Sequence, residues 1–177
     1  MKLSPRCMQL WAKVSSACPH VQWVFSLYDK GDEAIATQLF ARYGIASGRL
    51  TFLPTAPDDG LQRARYRAID LVLDTLPYAG GDTTIAALDM DIPVVTLKGH
   101  DHASRMGYSI LWHLGLTDTV ASDESAYVEI AVRLIQDPAL LAVEKEKIRM
   151  AKRVAPSARI ENHVRSLERA YRKVLSQ

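Results

Sequence analysis

The chain has 177 residues, 48% hydrophobic and 24% charged, which suits one well-buried domain and excludes a disordered, collagen-like or cysteine-stapled protein. A formal charge of +2 is too small to imply a nucleic-acid partner, and no apolar run approaches the roughly 18 residues of a membrane span. Charges interrupt the opening MKLSPRCMQLWAKV, unlike a signal peptide, and Cys7 and Cys18 form neither a redox pair nor a zinc motif, so reduced thiols in a cytoplasmic protein are expected.

In chain order, Ser4 as N-cap and Pro5 at the first helical position predict a helix over residues 4–17, with Met8, Leu10, Trp11 and Val14 on its apolar side. The run VQWVFSL, residues 21–27, reads as a mostly buried strand ending at DKGD. A helix over 31–43, Gly44 and a strand at RLTFLP follow. The alternation continues with a helix at 58–67, a strand at IDLVLD, a helix at 82–90 and a strand at PVVTL. HASRMGYSILWHL, residues 102–114, predicts an amphipathic helix closed by Gly115, before a short strand near Thr119 to Ala121.

This alternation implies an α/β fold, a doubly wound parallel sheet of four or five strands with helices on both faces. Its core spans about 4–121, and helices occupy about 122–177: one capped by Ser122 or Asp123 and running through 136, one restarting at DPAL, and a final amphipathic one carrying Ile160, Val164, Leu167, Tyr171 and Val174. The last helices should pack on the sheet or on a neighbouring domain. Residues 141–177 hold ten Lys/Arg against four Asp/Glu, with basic and apolar residues alternating as on a solvated helical face.

Ligands of open parallel sheets bind beyond the carboxyl ends of the strands, where free helix N–H groups attract anions. The junction LVLDTLPYAGGDTTIAAL has that form: Gly80 and Gly81 permit close backbone approach, while Asp82, Thr83 and Thr84 open a helix. Such a turn can hold a diphosphate without a cation; GG followed by a polar cap also makes an ordinary loop. It is neither the G-x-G-x-x-G fingerprint nor a Walker loop. Asp74, the one acid immediately at a strand end in this cleft, is expected to orient the loop. In TLKGHDHASRMGYSI, Lys98, His100, His102 and Arg105 follow a strand, and His102 and Arg105, three apart near a helix start, suit a polyanionic ligand. His-x-His by itself is a weak metal signal, and no nucleophile elbow, Cys/His pair or carboxylate pair identifies catalytic residues.

The run LDTLPYAGGDTTIAALDMDIPVVTLKGHDHASRMGYSILWHLGL resembles the C-terminal catalytic region of the O-linked N-acetylglucosamine transferase family, the SPINDLY-like glycosyltransferases of family 41. KLSPRCMQLWAKV, RLTFLPTAPDDG and the segment from SDESAYVEIAVRLIQDPALL onward extend the resemblance over nearly the whole chain. It implies a lobe of a two-lobed, GT-B-type, inverting and metal-independent enzyme that transfers a sugar from a UDP-sugar, such as UDP-N-acetylglucosamine, to Ser or Thr hydroxyls of a protein acceptor. The chain is expected to be the C-terminal, nucleotide-sugar-binding lobe over residues 1–177, inactive when isolated, with the first catalytic lobe or a tetratricopeptide protein as partner. An inactive remnant or interaction domain of a split transferase is the alternative.

By the same resemblance, Lys2 matches a lysine that contacts donor phosphates, Thr83 and Thr84 match the diphosphate-binding turn, and His102 and Arg105 match polar residues after the PVVTL strand. Gly81 takes a position that is His or Gly among members. Three positions depart: Asp82 stands where Thr is common, Ala86 where an acidic ribose contact is frequent, and Leu61 at the place of a His near the uracil.

Overall fold

A computed structural model describes residues 3–26, 31–54, 56, 58–154 and 160–176. The first helix, α1 (Pro5–Ala17), starts as its sequence dictates: the Ser4 hydroxyl accepts from the Cys7 N–H at 3.1 Å, and Pro5, which lacks a donor, sits where none is needed. Then come β1 (Trp23–Ser26), α2 (Asp32–Arg42), β2 (Leu50–Leu53), α3 (Asp59–Ala64), β3 (Val72–Leu73), α4 (Asp82–Asp89), β4 (Val94–Leu97), α5 (Met106–His113) and β5 (Val120–Ala121). Helices α6 (Glu124–Gln136), α7 (Pro138–Val154) and α8 (Ile160–Leu175) complete the chain. The glycines expected to end α2 and α5 do so: Gly44 and Gly115 adopt φ of +77° and +71°, which glycine reaches without a Cβ penalty.

All strand pairings are parallel, as expected, but the strands form two ladders rather than one continuous sheet: β1–β2, and β3–β4–β5 in that order. A single parallel bridge joins Leu3 to Leu76. The IDLVLD strand pairs only over Val72 and Leu73. Pro93, whose carbonyl accepts from the Val72 N–H at 2.9 Å, has no N–H to extend that ladder towards Asp70.

The fully buried β4 separates the two apolar clusters. Val95 and Leu97 face α1 and α6, in a cluster that includes Trp11, Trp23 and Phe40; Val94 faces Ala87 and Leu88 of α4, Leu111 of α5 and Ile148 of α7. Period-two alternation on a strand buried on both faces thus produces the doubly wound arrangement. The first cluster is rich in rings, with Phe25 and Phe40 centroids 4.3 Å apart. Arg49 ties α1 to β1 by donating to the carbonyls of Ser15, Cys18 and Val21 at 3.3, 2.9 and 3.0 Å.

Of the two expectations for the last helices, packing on the sheet or on a neighbouring domain, α8 does not fulfil the first. Both sheet faces are already covered, and Val164, Leu167 and Tyr171 stay 43%, 44% and 61% exposed.

Cys7 and Cys18 are free and buried, and desolvation pushes the Cys7 thiol from 9.0 to about 11. Since burial disfavours the thiolate, the folded state holds a proton that the unfolded state releases first. Stability contributed by Cys7 is therefore complete below pH 9 and is lost as pH rises towards 11. We expect both thiols to resist a disulfide reagent at neutral pH in native protein and to react promptly in urea; fast native labelling would contradict this burial.

Candidate functional site

Strand β3 delivers Asp74 to the start of a loop that runs to the N-terminus of α4. Asp74 is 5% exposed; Oδ1 accepts from the backbone N–H groups of Thr75 at 2.9 Å and Gly80 at 2.7 Å, and Oδ2 accepts from the Thr96 hydroxyl at 2.7 Å. Its carbonyl accepts from the Tyr127 hydroxyl at 2.8 Å, which in turn accepts from Trp11 Nε1 at 3.2 Å. Full burial pushes the Tyr127 phenol well above its ordinary range, so it remains a donor to this carbonyl. Asp74 therefore orients the loop, as its strand-end position suggests.

The glycines are required by contact. A Cβ on Gly80 would lie 2.6 Å from Thr83 Oγ1, 2.7 Å from Thr84 Oγ1 and 3.2 Å from Asp74 Oδ1. Gly81 is the N-cap of α4 and leaves the helix start without a side-chain cap. Its carbonyl accepts from the Thr84 and Ile85 N–H groups, each at 3.1 Å, so the N–H groups of the first helical turn before them lie open to an anion. Thr83 is exposed beside that opening. Thr84 is 1% exposed and donates its hydroxyl to the Gly80 carbonyl at 2.9 Å, holding the turn from within.

Asp82 is exposed at the first position of α4. Burial first, and the Asp82 carboxylate second, push the Tyr66 phenol upwards. Ala86 is buried, and Leu61 on α3 is 53% exposed. Lys2 lies outside the described residues.

The segment after β4 differs from expectation. The helix begins at Met106 rather than at residue 102: Asp101 and Ser104 close a separate turn, the Asp101 carboxylate accepting from the Ser104 N–H at 2.8 Å and the Ser104 hydroxyl oxygen accepting from the Asp101 N–H at 3.2 Å, and Arg105 is the N-cap of α5. His102 and Arg105 are thus not helical neighbours, although both remain exposed at the same end of α5. This segment is joined to the Gly-rich loop by the Ala79 N–H, which donates to the Ala103 carbonyl at 3.0 Å, and by Met106, whose Cε lies 2.8 Å from where a Gly81 Cβ would stand. The structure therefore brings Gly80, Gly81, Asp82, Thr83, His102 and Arg105 to one end of the β3–β4–β5 ladder.

Sequence reasoning does not single out Thr96 or Gly107. A Cβ on Gly107 would lie 2.5 Å from Asp74 Oδ2 and 2.7 Å from Thr96 Oγ1. A glycine one residue inside an apolar helical pattern is the available signal, since it usually marks close packing. Among the described residues, no group of three His, Cys, Asp or Glu side chains is placed to hold a metal ion, and no helix is long and apolar enough to cross a membrane.

The family model of glycosyl transferase family 41 matches residues 1–167. A probable UDP-N-acetylglucosamine–peptide N-acetylglucosaminyltransferase SPINDLY of Oryza sativa subsp. japonica is 33% identical over 97% of this chain, which spans 19% of that relative. The UDP-N-acetylglucosamine–peptide N-acetylglucosaminyltransferase of Caenorhabditis elegans is 33% identical over 85% of the chain, which spans 13% of it. Among solved structures, a mutant O-GlcNAc transferase of Thermobaculum terrenum superposes with a TM-score of 0.88 at 34% identity, over 97% of this chain and 34% of that one.

Proposed function

Since the chain belongs to glycosyl transferase family 41, we propose that it is the nucleotide-sugar-binding lobe of a protein O-glycosyltransferase whose donor is a UDP-sugar such as UDP-N-acetylglucosamine and whose acceptors are Ser or Thr hydroxyls. The observation that carries this reading is the uncapped N-terminus of α4, opened by Gly81 and flanked by the exposed Thr83 hydroxyl. A diphosphate seated there meets backbone N–H donors and the positive end of the helix dipole, with no metal required to offset its charge. Gly80 keeps the approach clear, and Asp74 fixes the loop so that these donors are already aimed when the ligand arrives.

Lys2 would add a cation to the leaving UDP, and Arg105 and His102 would face the same end of the cleft. The acceptor hydroxyl would come from a second lobe, in the same chain or a separate tetratricopeptide-bearing one, because the chain spans only 34% of the solved transferase it matches. The apolar stripe of α8 supplies surface for such a neighbour. The two free, buried thiols support a cytoplasmic location.

Isothermal titration with UDP tests the reading. We expect binding, and Thr83→Val should weaken it by about 1–2 kcal/mol without loss of fold, because shape is kept and a hydroxyl donor is removed. No heat at millimolar UDP, together with no UDP-dependent NMR shift from Gly81 to Thr84, would reject it and leave the interaction-domain alternative. Equal affinities for the two proteins would remove Thr83 from the site.

A further inference from the structure

From the outer side of α5 we infer that the groove lined by His102, Arg105, Met106, Tyr108 and Trp112 binds an acidic polypeptide segment. The groove is open and encloses about 490 Å³. Lys98 Nζ lies 4.9 Å from the Tyr108 ring centroid and Arg105 Cζ lies 5.3 Å from it, so one aromatic ring gathers two cations. Neither cation forms an ion pair with a described carboxylate. Asp101, the carboxylate of the adjoining turn, is engaged by the Ser104 N–H. The uncapped N-terminus of α5 opens at Arg105 and adds its dipole to the same point.

Beside this charge stands Trp112, 57% exposed, with its ring edge-on to His113 at 5.1 Å. An exposed tryptophan next to unpaired cations is the composition of a binding hot spot: the ring supplies apolar area, and the cations select carboxylates and speed encounter. Charge over the rest of the molecule narrows the class of partner. Residues 1–140 carry twelve Lys/Arg against sixteen Asp/Glu, so the positive charge at this groove is a local patch, of a size that suits a short acidic segment. Met106 connects the groove to Gly81, so a segment lying along α5 passes the mouth of the Gly-rich turn. Calling that segment the acceptor rests on the nucleotide-sugar reading; its binding does not.

Fluorescence anisotropy of a labelled short peptide of alternating Glu and Ala, its Gln counterpart and a single-stranded oligothymidine provides the test. We expect the Glu peptide to bind and the other two not to, binding to fall severalfold as salt is raised, and the exposed Lys98→Gln/Trp112→Ser variant to lose about tenfold in affinity. Trp11 and Trp23 are buried, so acrylamide quenching reports mainly on Trp112 and should diminish when the Glu peptide is present. Equal binding of Glu and Gln peptides, tighter binding of the oligonucleotide, absence of Glu-peptide binding, or an unaffected double variant would each overturn the inference. UDP titration of Trp112→Ser separates the two readings. Unchanged UDP binding with lost peptide binding supports Trp112 as a residue of the peptide groove and not of the donor site, and peptide binding without any UDP binding would retain the groove while rejecting the donor site.

Discussion

Replacement of Asp74 by Ala is expected to cost about 3–5 kcal/mol of folding stability, a large share of the total for a single domain. Three donors lose one acceptor together: the Thr75 and Gly80 N–H groups and the Thr96 hydroxyl. Gly80 and Thr96 are buried, so water cannot readily replace the carboxylate, and each unsatisfied donor retains its desolvation penalty. Asp74→Asn should lose less than half as much, since its carbonyl can still accept from Gly80 and the Thr96 hydroxyl can turn to accept from its amide. Thr96→Val in the Ala background should recover part of the loss by removing one stranded donor. Urea denaturation of the four proteins measures this, with the midpoint moving and the slope retained. A loss below about 1 kcal/mol for Asp74→Ala would show that solvent or a rearranged loop satisfies those groups.

The second large effect concerns activity: the 177-residue polypeptide by itself should bind UDP yet transfer no sugar to a Ser/Thr peptide. Transfer requires the anomeric carbon and the acceptor oxygen to be held in reacting geometry, and positioning of that kind is worth about 7–11 kcal/mol of a barrier. In the proposed reading the Gly-rich turn and the α5 segment would form one wall of a cleft, and the described residues supply neither a second wall nor a catalytic base. Incubation with labelled UDP-N-acetylglucosamine and a mixed acceptor extract, with and without a tetratricopeptide-bearing partner, checks the expectation. Label incorporated into Ser/Thr by the purified chain alone and abolished by Thr83→Val would contradict it and would require a cleft assembled from two copies.

Much of the architecture is legible because local rules and tertiary packing agree. The Ser4–Pro5 start, the glycines after α2 and α5, and the alternation of short apolar strands with amphipathic helices each specify an element without reference to distant residues. The Gly-rich turn is legible for the same reason, since adjacent glycines before a polar helix start mark a tight turn into that helix. The start of α5 is misread because HASR carries the helical spacing, whereas residues 101–104 close a turn of their own through Asp101 and Ser104 and the helix starts afresh after Arg105. The roles of Thr96 and Gly107 are hidden because they depend on an aspartate from another strand.

By itself, then, the sequence determined the α/β class, the order of the elements and the position of the glycine-rich turn that leads into α4 at Gly80 to Thr83, all consequences of periodicity and backbone permissiveness within a few residues. Its resemblance to family 41 pointed to the family that the comparisons then established. Only the tertiary structure decided that Asp74 is a buried hub rather than a solvent-facing acid, that Thr84 turns inward while Thr83 stays outside, and that α8 leaves its apolar stripe uncovered. It also joined the 98–105 segment to the Gly-rich loop through Ala79 and Ala103, two residues whose side chains carry no hint of that bond. These outcomes depend on which groups from distant parts of the chain compete for the same buried donors and the same apolar surface. Burial and hydrogen-bond satisfaction are properties of the assembled neighbourhood, and no local pattern encodes them.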